Sequence, residues 1–394
     1  MPAQWQDIVD SAITLRRQLH TYPELGWQEQ RTAETIRDYL NKHAIRWRPC
    51  ASTGTVATLN PGGTGKHIAL RGDIDALPIR EQTDKDWRST VDGCMHACGH
   101  DGHTATLMAT AHWLKQREDE LPGPVTLLFQ PAEEGGHGAR EMIADGALEG
   151  VNEIFGWHNW PAIPYGKMVC PDGIVMCGNG TFTIKVIGKG GHASQPELCR
   201  DPVLGACAIN IALQQAVSRR LPPQQAAVLS VTSIEAPSAA TVIPSEAILG
   251  GSIRVPNETT RDTLNTLIRE ISQHTAASYG LECEVDIQPR YQATINHPQQ
   301  AQRFRQQWQT LYGADSVDTQ LPTPIMASED FSYYLREVPG AFALIGADDG
   351  QGHDAPCHNP HYDFNDRLIP MVCRAYAGLV GIHTPAFDTS AESA

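Results

Sequence analysis

Short apolar segments in the first half of this chain alternate with helix-like segments, and this alternation constrains the fold more than any other feature. The segments TVATL (55–59), HIAL (67–70) and PVTLLF (124–129) have the length and composition of buried strands. A helical segment, ATLMATAHWLKQ (105–116), stands between the second and the third. Such alternation predicts an α/β domain with a mixed, largely parallel sheet.

Polar side chains follow several of these predicted strands. Asp73 and Asp75 come after one strand, Glu133 and Glu134 after the next, and His158 after the segment EIFGW. In open α/β sheets, ligands bind along the edge where the carboxyl ends of the strands meet. The sequence therefore predicts that these side chains lie at one site.

The segment MHACGHDGHT (95–104) adds three histidines, a cysteine and an aspartate to this set. Imidazole, thiolate and carboxylate groups together suit zinc, manganese or cobalt. Adjacent Glu133 and Glu134 repel each other unless a cation offsets their charges, and a tight turn can direct one to a metal and the other to a water beside it. His96 and His103 remain undecided neighbours.

Each of these residues has a simpler interpretation when it is taken alone. Two glutamates favour a solvated acidic turn, one histidine favours a hydrogen-bonded core residue, and one cysteine favours buried filler. Their shared positions at strand ends and in glycine-rich loops favour a dinuclear hydrolytic metal site instead. The candidate residues are Asp73, Asp75, Cys98, His100, Glu133, Glu134, His158 and His358.

The sequence pattern changes near Gly178. The segment TFTIKVIG (181–188) alternates polar and apolar residues, and the segments after it read β-α-β-β-α-β as a whole. That order predicts a ferredoxin-like α+β sandwich, inserted into the first domain. We expect the inserted domain to span 179–294, and the metal-binding domain to comprise 1–178 and 295–394.

Charge and composition exclude several classes of partner. The formal net charge of -15, from 30 basic and 45 acidic residues, argues against binding to nucleic acid or to an anionic membrane surface. The N-terminal segment lacks the apolar region of a signal peptide, and no segment is apolar over the length of a bilayer. We therefore expect a cytoplasmic protein whose ten cysteines are free thiols.

Taken in order, the motifs resemble those of the aminoacylase and carboxypeptidase-type dinuclear metallopeptidases. The most similar subgroup contains hippurate hydrolases and plant auxin-conjugate amidohydrolases. The resemblance covers nearly the whole chain and rests on LRRQLHTYPELGWQE, ALRGDIDALPI, MHACGHDGHTA, LLFQPAEEGGHGAREMI, GWHNWP, GKGGHAS, the VIP segment, MASEDFSY and HNPHYDFND.

This resemblance implies two divalent metal ions per subunit, with zinc, manganese or cobalt as candidates. It implies that Glu133 is the general base, that Cys98 replaces a ligand found at the Asp73 position in related branches, and that Asp75 orients a ligand. The metal ligands implied by the resemblance are Cys98, His100, Glu134, His158 and His358.

The resemblance also implies a phosphorylase/hydrolase-like catalytic domain, an inserted domain that serves as lid and dimerisation domain, and a homodimer. His192 matches a histidine that reaches the neighbouring subunit's active site in family dimers, and Arg254 matches an arginine associated with the substrate carboxylate. Thr241 departs from the family, which usually has asparagine just before VIP, so the substrate contact expected there is altered.

The expected activity is metal-dependent hydrolysis of the amide bond of small N-acyl amino acids, such as hippurate-like conjugates. An aminopeptidase or dipeptidase on the same fold remains open, because the sequence does not distinguish a pocket for a carboxylate from one for an ammonium group. A non-enzymatic metal-binding carrier is a second alternative. The carrier would not need Glu133 beside a ligand glutamate.

Overall fold

The computed structural model describes residues 4–386, which form two compact units. The second unit begins slightly before the predicted boundary and also includes a short later segment. The described parts of the first unit are 4–175, 295–323 and 330–386, and those of the second are 176–294 and 324–329. Across this part of the chain, no helix is both long and apolar enough to cross a membrane.

The helices and strands are named in chain order. The α-helices are α1 (Trp5–Thr21), α2 (Gln30–Lys42), α3 (His100–Lys115), α4 (Gly138–Ala144), α5 (Pro202–Arg220), α6 (Glu258–Ser278), α7 (Pro298–Tyr312), α8 (Ser332–Glu337) and α9 (Leu368–Leu379). The strands are β1 (Arg46–Cys50), β2 (Gly54–Leu59), β3 (Ile68–Asp73), β4 (Val125–Gln130), β5 (Glu153–Pro164), β6 (Met168–Val169), β7 (Gly173–Met176), β8 (Gly178–Ile187), β9 (Gly191–His192), β10 (Val228–Glu235), β11 (Val242–Ile243), β12 (Glu246–Val255), β13 (Glu282–Pro289), β14 (Thr294–Asn296) and β15 (Gly340–Asp348).

The first unit is built on a seven-stranded sheet with the order β1-β2-β4-β3-β5-β15-β6. Within the group β4-β3-β5-β15, each strand is parallel to the next. The antiparallel pairs are β1 with β2, β2 with β4, and β6 with β15. The sheet is mixed, as predicted, and its parallel part is limited to the four central strands. The carboxyl ends of β3 and β4 therefore meet at one edge.

The central strands are continuous apolar segments because both faces of the sheet are covered. Every residue of β3 and of β4 is buried, as expected of parallel strands between layers of helices. Helix α3 packs on β3, and helices α1 and α9 pack on α3. The site at the end of these strands is thus supported by a rigid core.

Strand β5 differs from its prediction. The sequence predicted a strand that ends at Trp157 with His158 just beyond it, but the strand continues to Pro164 because it pairs with β15 over that length. The pairing of β5 with β3 places Leu70 opposite Phe155. His158 is therefore level with the last residue of β3, at the site edge, although it lies inside β5.

Helix α3 begins at the site edge. Gly99 precedes it with a φ of 91°, a conformation that L-residues with side chains rarely adopt. A Cβ atom at this position would lie 2.4 Å from Asn159 Oδ1, so there is also no room for a side chain. Glycine here lets the chain turn sharply and places His100 and His103 in the first turn of the helix.

The second unit is an antiparallel sheet with the order β10-β12-β8-β13, covered by α5 and α6. Buried residues alternate along β8 and β12, which indicates that one face of the sheet packs on the helices. Both helices have a side-chain N-cap: Asp201 accepts from the Val203 N–H, and Asn257 accepts from the Thr260 N–H.

Candidate metal centre

The structure brings together the predicted ligands and the predicted base of the first unit. Within each of three groups, one potential ligand atom per residue lies within 4.8 Å of the others. These groups share members, so they form one continuous cluster. They are Cys98 with His100 and His158, Cys98 with Glu134 and His358, and His100 with Glu133 and Glu134.

His158 presents one ring nitrogen to the cluster. Its Nδ1 lies 2.6 Å from the backbone oxygen of Asn159, which holds the ring by a hydrogen bond and leaves Nε2 directed at the cluster. Nε2 lies 3.2 Å from the Sγ atom of Cys98. Burial, together with the nearby His103, lowers the pKa of His158 well below its ordinary value, so the ring is neutral and can bind a metal.

The Cys98 thiol has an unfavourable environment for its own ionisation. A hydrogen bond with Cys357, followed by burial and the charge of Glu134, raises the pKa of Cys98 well above its ordinary value. A bound cation reverses such a shift, because it stabilises the thiolate. Cys357 was not among the residues predicted from the sequence, since only the fold brings it to Cys98.

His100 supplies the clearest sign that the cluster requires a positive charge. Its Nδ1 lies 2.9 Å from the backbone oxygen and 3.1 Å from Oδ1 of Asp75, whereas its buried Nε2 has no hydrogen-bond partner within residues 4–386. Burial would lower the pKa of His100, but the charges of Asp73 and Asp75 and the hydrogen bond to Asp75 raise it to about 10. A divalent cation would satisfy the same demand for charge.

Glu134 and His358 form the opposite side of the cluster. His358 Nε2 lies 3.1 Å from Glu134 Oε1, and the Glu134 N–H donates to Oδ2 of Asp75 at 2.9 Å. Burial would raise the pKa of Glu134, but the hydrogen bond and charge of His358 lower it. Glu134 is thus an ionised carboxylate, as a metal ligand must be. Asp75 contacts both ligand-bearing segments, as expected for an orienting residue.

The turn after β4 is tight and brings Glu133 and Glu134 to the cluster together, with one carboxylate oxygen of each within 4.8 Å of the other. Ala132 has a φ of 51° and Gly135 a φ of 97°. The buried Glu133 accepts a hydrogen bond at Oε1 from the Asp330 N–H, at 3.2 Å. Glu29, which the sequence did not single out, holds this turn by accepting from the Ala132 N–H at 2.9 Å.

Asp73 has a different environment, although it also lies close to His100. Its Oδ1 is 2.6 Å from His103 Nδ1, and its Oδ2 is 2.5 Å from Arg71 Nη1. Burial opposes ionisation, but the charge of Arg71 holds the pKa of Asp73 well below its usual range. A metal here would face a buried guanidinium. The contact with Arg71 sets this group apart, although Asp73, His100 and His103 also each place a potential ligand atom within 4.8 Å of the others.

The two predicted substrate-binding residues lie in the second unit. His192 is exposed on β9 and its Nδ1 accepts a hydrogen bond from the Ser194 N–H at 3.1 Å. Arg254 lies on β12, and its Nη1 donates to the Ile253 backbone oxygen at 3.3 Å. The backbone oxygen of Thr241 accepts from the Ala193 N–H, next to His192, at 2.9 Å. The roles of His192 and Arg254 stay predictions.

Comparison with known proteins identifies the family of this chain. The model of peptidase family M20/M25/M40 matches residues 69–381. IAA-amino acid hydrolase ILR1-like 2 of Arabidopsis thaliana is 36% identical over 384 residues, which cover 96% of this chain and 86% of that protein. Hippurate hydrolase of Campylobacter jejuni is 34% identical over 368 residues, which cover 93% of this chain and 94% of that protein.

A solved structure extends the likeness to the fold. The YXEP protein of Bacillus subtilis, described as a dinuclear metal binding peptidase from the M20 family, superposes with a TM-score of 0.81 at 32% identity. The superposition covers 95% of this chain and 98% of that one. The chain therefore belongs to peptidase family M20/M25/M40 and is a metal-dependent hydrolase of that family.

Proposed function

We propose that this protein hydrolyses the amide bond of small N-acyl amino acids, of the hippurate-like class. The observation that carries the proposal is a buried carboxylate, Glu133, held beside a cluster of ligands that requires positive charge. A carrier would gain nothing from such a base. The two relatives above, named as hydrolases of an IAA-amino acid and of hippurate, support this substrate class.

The residues present fit a pair of divalent ions. The buried Nε2 of His100, which has no hydrogen-bond partner within residues 4–386, and the ionised Glu134 are available for coordination. Cys98, His158 and His358 complete the set. Once bound, the ions would polarise the amide carbonyl and lower the pKa of a water molecule between them. Zinc, manganese and cobalt all suit this mixture of sulfur, nitrogen and oxygen ligands.

Glu133 moves the proton in this mechanism. One carboxylate oxygen, Oε1, is held by the Asp330 N–H, which fixes the side chain. The carboxylate takes a proton from the attacking water and later gives it to the leaving nitrogen, as a general base that becomes a general acid. Its neighbour Glu134 does not compete for this task, because it faces His358.

The second unit supplies the remaining groups in our proposal. Arg254 pairs with the free carboxylate of the substrate, and His192 donates a hydrogen bond to the developing oxyanion. The unit closes over the substrate as a lid. Thr241, beside His192, changes the shape of the acyl pocket relative to an asparagine.

We further propose that the active form is a homodimer in which His192 serves the partner's site. The outward face of α5 supports this, because Leu204 is 55% exposed and Ile211 is 75% exposed. Exposed apolar side chains on one face of a helix favour an interface with another subunit. A two-fold assembly gives both sites the same donor.

The substrate class is tested by chelation and by a screen of substrates. We expect dialysis against a chelator to abolish hydrolysis of N-acyl amino acids, and added zinc, manganese or cobalt to restore it. Undiminished hydrolysis by metal-free protein would contradict the proposal. The proposal would also be contradicted if the metal-restored protein cleaved dipeptides that have a free amino group and did not cleave any N-acyl amino acid. That result would identify an aminopeptidase or dipeptidase.

The dimer is tested by mixing two inactive variants, His192→Ala and Glu133→Gln. A mixed dimer contains one site with both intact groups if His192 acts across the interface. Subunit exchange should then recover up to about half of the wild-type activity per dimer. A mass label shows whether the subunits have exchanged. If they have and no activity is recovered, His192 acts in its own subunit's site or in no site.

A further inference from the structure

Two cysteines are in contact at the candidate metal centre. Cys98 precedes helix α3, and Cys357 precedes the predicted ligand His358, so the two lie far apart in sequence. The Cys357 thiol is the largest influence on the pKa of Cys98 and raises it, so the two side chains lie close together. Cys98 was predicted as a metal ligand, and Cys357 has no role in the proposed hydrolysis.

Backbone contacts hold these two residues side by side. The His358 N–H donates to the backbone oxygen of Ala97 at 2.8 Å, so the peptide group after Cys357 is bonded to the peptide group before Cys98. This bond joins the peptide groups next to Cys98 and Cys357, so the backbones of the two residues lie close together. A disulfide typically needs Cα atoms within about 7 Å, so the pair can be bridged with little movement of the backbone.

A second contact fixes the same two loops. The Asn159 Nδ2 atom donates to Tyr362 Oη at 2.6 Å, and both of those groups lie against Gly99. The loop that carries Cys98 and the loop that carries Cys357 are therefore held together on both sides of the thiols. Such fixed proximity favours reaction between the two sulfurs over reaction with other molecules.

The two thiols differ in accessibility. Cys98 is 8% exposed, whereas Cys357 is partly exposed. A small oxidant therefore reaches Cys357 first. The buried Cys98 is then the adjacent thiol that can complete the reaction, the arrangement found where a sensitive cysteine has a resolving partner.

We propose that Cys98 and Cys357 form a reversible disulfide when the metal-free protein meets a peroxide, and that this bond prevents metal loading. The inference rests on the proposed function only in taking Cys98 as a metal ligand. Oxidation ties up the Cys98 sulfur covalently. The cluster then lacks a residue that belongs to two of its three groups.

The reaction balances with a peroxide as the oxidant. The Cys357 sulfur attacks the peroxide, whose O–O bond breaks, and it becomes a sulfenic acid while one molecule of alcohol or water is released. The Cys98 sulfur then attacks the sulfenic sulfur, the S–O bond breaks, and water leaves with the thiol proton. The thiols together lose two electrons, which reduce the peroxide. A small dithiol reverses the change by exchange.

Bound metal protects the pair. When a cation is coordinated by the Cys98 sulfur, the electron pair needed for attack on the sulfenic acid is engaged. The loaded enzyme is therefore resistant, and newly made or stripped enzyme is sensitive. The pair thus makes the availability of the enzyme depend on peroxide during metal loading.

The test uses the full-length protein in metal-free and zinc-loaded forms. Each is treated with hydrogen peroxide, digested without reduction and analysed by mass spectrometry, and zinc uptake by the treated metal-free protein is measured by elemental analysis. We expect a linked Cys98–Cys357 peptide in the metal-free protein, formed at least tenfold more slowly in the loaded protein. Zinc uptake should fall at least tenfold and recover with dithiothreitol.

Two substitutions at the exposed partner, Cys357→Ser and Cys357→Ala, should take up zinc equally before and after peroxide. The matched control is Cys373→Ser, which removes a buried thiol of helix α9 and should respond to peroxide as wild type does. Absence of the linked peptide, or equal loss of zinc uptake in wild type and in both Cys357 variants, would overturn the proposal.

The two readouts separate this proposal from the proposed function. Failure of untreated, reduced protein to bind zinc would contradict the assignment of the ligands. The linked peptide is detected without metal or substrate, so its presence or absence decides the disulfide independently.

Discussion

The ends of β3 and β4 each carry two acidic residues, yet the structure gives the two pairs opposite environments. Asp73 is the last residue of β3 and Asp75 follows it, whereas Glu133 and Glu134 both follow β4. In sequence the pairs are equally plausible as metal ligands. Their difference lies in what offsets the negative charge.

At the end of β3, the protein itself supplies the positive charge. Asp73 lies between Arg71 and His103, at 2.5 Å and 2.6 Å, and all three side chains are buried. Asp75 is engaged with His100 and with the Glu134 N–H. We therefore expect these acids to be structural, because protein groups already offset their charge and occupy their oxygen atoms.

At the end of β4, the neighbouring groups are themselves ligands. Glu134 faces His358 and contacts Cys98, whose donor atoms can turn to a metal ion. Among residues 4–386, Glu134 forms an ion pair with His358, and no ion pair between Glu134 and an arginine is found. An acid near a histidine is therefore weak evidence for a metal site, and the presence or absence of a buried arginine is the more informative feature.

The largest expected effect separates the two acids at the end of β4. Glu133→Gln removes the base but keeps the size of the side chain, so turnover should fall about 1,000-fold while metal content is retained. Glu134→Gln should lose metal as well as activity. Turnover is measured by steady-state kinetics and metal content by elemental analysis. Identical behaviour of the two variants in both assays would mean that their roles are not divided.

The next effect concerns the acid at the end of β3. Asp73→Asn leaves Arg71 and His103 without their shared carboxylate, although Arg71 keeps Asp330 at 3.1 Å. We expect the free energy of unfolding to fall by about 3 kcal/mol, measured by urea denaturation of metal-free protein. The matched control Asp92→Asn, at an 84% exposed side chain, should change it by less than about 0.5 kcal/mol. Unchanged stability combined with lost metal would make Asp73 a ligand.

The last effect depends on pH and concerns Glu29, whose negative charge is removed by proton binding. Burial, followed by the charge of Asp75, raises the pKa of Glu29 from 4.5 to about 7, so the folded protein binds a proton that the unfolded chain releases. Stability should therefore fall as the pH rises from about 4.5 to about 7. Relative to Glu29→Gln, the wild type should lose up to about 3 kcal/mol over that range.

This loss is measured by urea denaturation of metal-free protein at several pH values. Glu34→Gln, at an exposed position on α2, is the matched control. Parallel pH profiles for wild type and Glu29→Gln would show that Glu29 does not titrate in this range. The result bears on the turn that positions Glu133, because Glu29 holds that turn through Ala132.

The sequence was sufficient to predict the general location of the centre. Apolar strands followed by acids locate the sheet edge, because the carboxyl ends of parallel strands meet there. The sequence also predicted a helical segment at 105–116, and the structure extends that helix back to His100, just after Gly99. These features depend on residues near one another in the chain.

Long-range contacts could not be predicted in this way. The sequence placed His158 after a strand, because it does not show that β5 continues in partnership with β15. It left His103 undecided, since its partner Asp73 is known only from the fold. The sequence pattern did not single out Glu29 or Cys357, because each contacts the centre through a residue that is distant in sequence.

The central claim is that metal binds at the β4 side of the cluster and not at the Asp73–His103 pair. Anomalous diffraction at the zinc absorption edge from crystals of zinc-loaded protein tests it most directly. The account predicts anomalous peaks coordinated by Cys98, His100, Glu134, His158 and His358, with Asp73 still bonded to Arg71. A peak between Asp73 and His103, or protein that takes up no zinc, would contradict it.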